Sequence, residues 1–83
     1  MIAERIKHLR EKHDMPQASL AKQLGITRSS VNAWELGISV PSTQYIVELA
    51  AIFSVSTDYL LGVEKTATII LHEIVHHLKK LNQ

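Results

Sequence analysis

The stretch that most narrows what this chain can become is residues 17–36, where Ala21, Gly25, Val31 and Trp34 stand at fixed offsets within two short helical runs. Helical patterning from Gln17 stops at Gly25, the residue type best suited to the left-handed backbone that ends a helix. Thr27 then offers an N-cap for a second run to about Leu36, which Gly37 closes. Ala21 is small enough for the two helices to cross closely, and Gly25 supplies positive φ at the sharp turn. Leu20, Leu24, Ile26, Val31 and Trp34 fill the wedge between them. Such a corner is rigid, and it holds its second helix proud of the surface.

Helical signals extend over the rest of the chain. Ile2, Ile6 and Leu9, with His13 at the end, recur at spacings of three and four among charged residues, which predicts an amphipathic helix over about 2–13. Asp14-Met15-Pro16 breaks it, because proline disfavours helical geometry in the residue before it and starts helices well. Past the loop Ile38-Ser39-Val40-Pro41, Ser42 or Thr43 caps a fourth helix reaching about Phe53. Ser56 or Thr57 caps a short fifth helix closing at Gly62. No strand pattern competes. A last helix is predicted over about 66–81.

Several separated motifs now stand in order: Gln17-Ala18-Ser19-Leu20-Ala21, Gly25-Ile26-Thr27, Trp34-Glu35-Leu36-Gly37 followed by Pro41, and Phe53-Ser54-Val55-Ser56-Thr57-Asp58-Tyr59-Leu60-Leu61-Gly62. Over roughly residues 2–62 the chain resembles the phage-repressor and Cro-like (XRE) helix-turn-helix family of transcriptional regulators. The resemblance implies an all-α fold, a five-helix lambda-repressor-like DNA-binding domain at 1–62, with residues 63–83 as an additional C-terminal helix. It also implies double-stranded DNA as partner, with the third helix entering the major groove. Carried over residue by residue, it puts Arg28, Ser29, Asn32 and Ala33 on the exposed face of that helix, beside the capping Thr27. Arg28 is suited to a forked bond to guanine, Ser29 reads loosely, and Asn32 is suited to adenine or a phosphate. Ala33 replaces a residue that is often polar and has only a thymine methyl to touch. Ser30 is expected to support the helix start.

In the same resemblance Gln17 looks like a phosphate-clamping glutamine, aided by the backbone N–H groups of its helix start. Lys22, Ser39 and Thr43 are further phosphate candidates. Pro16 stands where the family often has a capping Ser or Thr, so a hydroxyl is lost but the helix start is kept. Arg10 and Glu35 match a family pair bridging the first helix to the end of the third. Their role is structural, as is that of Ala21, Gly25, Val31 and Trp34, although partly exposed ion pairs often contribute little.

Beyond Gly62 the likeness ends. Ala67, Leu71, Ile74, Leu78 and Leu81 repeat at heptad spacing, flanked by Ile70 and Val75, a stripe too wide to leave bare on a monomer. Two readings stay open: pairing with a second copy in a homodimer, which Tyr59 or the fifth helix would extend, or folding back over the first and fifth helices. His72-Glu73-Ile74-Val75-His76 spells H-E-x-x-H, the zinc-protease signature. The residues from His77 onward offer no carboxylate as third ligand, and no sheet frames a cleft. The expectation is therefore no enzyme, no metal and no cofactor.

Composition sets bounds. Eighty-three residues hold one core, and 46% hydrophobic with 20% charged residues is the balance of a globular chain. With no cysteine, disulfides and thiolate chemistry are excluded. No run approaches the ~18 apolar residues of a membrane span, and Glu4 and Arg5 stand where a signal peptide would need an apolar stretch, so a cytoplasmic protein is expected. A net charge of +1 with a pI near 8.1 is a weak nucleic-acid signal by itself. The rival expectation is a protein-interaction module, an antitoxin or adaptor that engages a protein partner through the C-terminal helix.

Overall fold

A computed structural model describes residues 1–63 and 74–79. Among them all regular structure is helical: α1 (Ile2–Lys12), α2 (Gln17–Leu24), α3 (Arg28–Glu35), α4 (Thr43–Phe53) and α5 (Thr57–Leu61), with residues 74–79 helical as well. Five core positions, Ile6, Leu20, Val31, Leu49 and Leu60, are fully buried, and around them pack Leu9, Ala21, Leu24, Trp34 and Phe53. α2 and α3 form the most extensive pair, and α1 lies across α3, α4 and α5. Trp34 extends the core toward α4, its ring 5.6 Å from that of Tyr45.

The boundaries have local causes. Gly25, Gly37 and Gly62 all take positive φ, and at Gly25 (φ 70) this turns the chain sharply from α2 into α3. The Thr27 side chain accepts from the Ser30 N–H at 3.2 Å, and its hydroxyl lies 3.0 Å from that of Ser30, so Ser30 supports the start of α3 as expected. Ser56 caps α5 in the same way, accepting from the Tyr59 N–H at 2.9 Å. Ser42 occupies the N-cap of α4 but makes no capping bond with its side chain. Pro16 starts α2 from an extended backbone, also without a side-chain cap.

The end of α1 has its own chemistry. α1 stops at Lys12, and His13 sits just beyond it because Asp14 turns to φ 51, a left-handed conformation that a short polar side chain tolerates. The His13 Nδ1 lies 2.8 Å from the Leu9 carbonyl oxygen, and its ring is 5.3 Å from that of Phe53. Histidine thus finishes the helix against α4 rather than extending its apolar stripe.

Candidate nucleic-acid interface

α3 divides its side chains by duty. Val31 and Trp34 are buried and fasten the helix to the core, while Arg28, Ser29 and Asn32 are exposed and Ala33 is half-buried. Positions 28, 29, 32 and 33 recur at one helical turn and so share a face. The structure therefore gathers all four sequence-expected readers on one side of α3, away from its anchors.

The rear of α3 is tied to α1. Arg10 donates from Nε to Glu35 Oε2 at 2.7 Å and from Nη2 to Glu35 Oε1 at 2.9 Å, a parallel two-bond fork. Its remaining nitrogen, Nη1, donates to the Met15 carbonyl at 2.9 Å. The side chains retain only 12% and 3% of their exposure, so this pair is far drier than the surface pairs that contribute little. Burial works to raise the Glu35 carboxyl, but bonds from Arg10 and Gln17, with the charges of Arg10 and Lys7, outweigh it and leave the carboxyl below its ordinary range. The bond to Glu35 likewise lifts the Arg10 guanidinium, so both partners stay charged.

Gln17 departs from its expected posture. Its Nε2 donates to Glu35 Oε1 at 3.1 Å and to Asn32 Oδ1 at 3.2 Å, which uses both protons of the amide within the protein. The side chain has no donor left to clamp a phosphate in this arrangement. At the start of α2 the first bonds back to Pro16 come from Ser19 and Leu20, leaving the N–H groups of Gln17 and Ala18 ahead of the ladder. Lys22 is exposed, but five residues beyond Gln17 it is turned by about 140° around α2, on the side away from Leu20, Ala21 and Leu24. It is not gathered with the others.

Between α3 and the start of α4 lies an open depression of about 520 Å³, lined by Ile26, Ser29, Ala33, Ser39, Ser42 and Tyr45 among others. Ser39 is thereby brought beside the exposed face of α3, and Thr43 follows at the first position of α4. Ser42 is the residue that sequence reasoning assigned only to capping; its uncommitted hydroxyl borders the same depression. The loop between α3 and α4 also leaves Leu36, Ile38 and Val40 between 64% and 75% exposed, an apolar margin that no periodicity announced.

A family model described as helix-turn-helix matches residues 6–60 of the chain. The chain belongs to the helix-turn-helix family. Among its helix-turn-helix relatives, an uncharacterized transcriptional regulator of Bacillus subtilis, YqaE, is 34% identical over 73 residues, 88% of this chain and 63% of that protein. The cryptic phage CTXphi transcriptional repressor RstR of Vibrio cholerae is 32% identical over 82 residues, 99% of this chain and 71% of the repressor. In structure, the helix-turn-helix resembles the crystallised P22 c2 repressor in complex with a synthetic operator, with a TM-score of 0.72 and 30% identity across 77% of this chain and 97% of that one. The chain spans 63%, 55% and 38% of the length of three of the curated relatives it matches.

The proposed dimer seam falls partly outside the described residues: Ala67, Ile70, Leu71 and Leu81 lie there, as do His72 and Glu73. Ile74, Val75 and Leu78 are described and each is about half exposed; His76 is exposed too. Tyr59, considered as an extension of that seam, lies under the Arg5 guanidinium, 4.2 Å from its ring centre. Among the described residues no group of three or more His, Asp or Glu side chains could hold a metal ion. No helix among them is long and apolar enough to cross a membrane.

Proposed function

We propose that this chain is a sequence-specific DNA-binding transcriptional regulator that seats α3 in the major groove. The observation that carries the reading is the division of α3 into a buried anchoring side, Val31 and Trp34, and an exposed polar side, Arg28, Ser29 and Asn32. The likeness to a repressor crystallised on its operator supports the same docking. Arg28 reads a guanine edge through its fork, Ser29 and Ala33 contact neighbouring bases, and Thr27, Ser39 and Thr43 border the phosphates together with the N–H groups at the start of α2. The protein acts in the cytoplasm, on a two-fold operator, as a homodimer. Residues 1–62 bind DNA and residues 63–83 join the subunits; the half-exposed Ile74, Val75 and Leu78 support that division of labour. His72, Glu73 and His76 have no hydrolytic part.

A mobility-shift assay against the chain's own upstream DNA and random fragments tests the reading. Preferential retention of one fragment is the expected result. Equal binding of all fragments, or of none, would favour the protein-interaction module instead.

A further inference from the structure

We propose that Asn32 is a guanine-selective reader, fixed in one amide orientation by a relay that starts at the Arg10–Glu35 pair. The inference rests on the DNA-binding reading above and names what one residue of that interface recognises.

The orientation follows from chemistry that leaves no choice at each step. Arg10 has only donors and holds both oxygens of Glu35, which has only acceptors at neutral pH. The Gln17 atom 3.1 Å from Glu35 Oε1 must therefore be its NH₂ nitrogen, since a carbonyl oxygen there would face a carboxylate. That nitrogen carries a second proton, directed at Asn32 across 3.2 Å, so the Asn32 atom facing it must be the carbonyl oxygen Oδ1. The Asn32 NH₂, on the opposite side of the same planar amide, is turned away from Gln17. A fixed charge at the back of α3 thus dictates which end of an exposed amide meets DNA.

An asparagine reads adenine by offering acceptor and donor together, to N6–H and N7. Here the acceptor is turned back toward Gln17. What remains is a group with two donors, matched to the adjacent acceptors O6 and N7 of guanine; beside adenine one of its protons would meet the N6 amino group. The expectation that the resemblance attached to Asn32, adenine or a phosphate, is thereby replaced by guanine.

The test uses the full chain and a library of randomised DNA duplexes, with bound sequences read out for the wild type, Asn32→Ala and Gln17→Met. The base pair whose preference collapses in Asn32→Ala identifies the Asn32 contact. There the wild type should favour guanine over adenine by roughly tenfold. Gln17→Met, which keeps the length of the side chain but cannot donate, should bring that ratio close to one while preferences at other positions persist. A second measurement needs no DNA: proton exchange of the side-chain amides, followed by NMR, should find the Gln17 NH₂ slowed and the Asn32 NH₂ exchanging like a free amide. Adenine preference at the Asn32 position, an unchanged ratio in Gln17→Met, or a slowed Asn32 NH₂ beside a free Gln17 would each overturn the proposal. Enrichment of no sequence at all would instead remove the DNA-binding reading beneath it, while the exchange measurement would still judge the orientation.

Discussion

Arg10 and Glu35 show how much one pair of side chains does in a core this small. The fork bridges α1 and α3 with little solvent around it, so removing one partner strands a charge rather than merely losing an attraction. Glu35→Ala should cost roughly 3 kcal/mol in chemical denaturation, as expected when a buried pair is broken. The pH dependence follows from the depressed carboxyl. Its contribution is complete above the ordinary carboxylate value of 4.5 and is lost as pH falls through the lower value it has in the folded protein. Stability measured from pH 6 downward should therefore begin to fall near 4.5, and Glu35→Gln should lack that part of the decline. At the same scale, Arg28→Ala should weaken operator binding by about 1–3 kcal/mol and relax the preference at one base pair per half-site, read by competition binding. Equal weakening on operator and random DNA would count against α3 as the reading head.

The ends of the helices are where sequence and structure meet most directly. Gly25 has open space around the position of an added Cβ, so Gly25→Ala should destabilise through backbone strain alone, by about 1–2 kcal/mol in thermal melts. Thr27→Ala removes the bond to the Ser30 N–H and should cost about 1 kcal/mol, with fraying at the start of α3 visible as faster amide exchange at Ser29 and Ser30. These features were legible because each depends on residues within one turn: a glycine after a periodic run, a threonine before one, Pro16 at a helix start. The face shared by Arg28, Ser29, Asn32 and Ala33 was legible for the same reason, given the helix. The posture of Gln17 was not, because its two bonds depend on how α2 and α3 approach each other, which local sequence leaves open. Ser42 illustrates the converse: the sequence placed it correctly at the head of α4, but only the packing of the loop between α3 and α4 brings it beside Ser29.

For the whole molecule, the outstanding expectation is assembly. Sedimentation at micromolar concentration should find a dimer, and Leu71→Asp combined with Leu78→Asp should yield a monomer with its melting of residues 1–62 intact. A wild-type monomer would send the C-terminal helix back to its own domain. On DNA, half-sites contacted by such a dimer should lie about one helical turn, roughly 34 Å, apart.

The connections between successive helices, residues 13–16, 25–27, 36–42 and 54–56, are all short; α2 packs on α3 and α4 on α5, while α1 reaches across to α3, α4 and α5. The α2–α3 corner needs only a small loop to close before contacts reward it, α1 then docks across the later helices, and helical proteins fold within about microseconds to milliseconds. A chain built this way should regain the exposed face of α3 almost as soon as it is lost. Occupancy of a DNA site after a heat or acid shock would then be limited by the search for that site rather than by refolding.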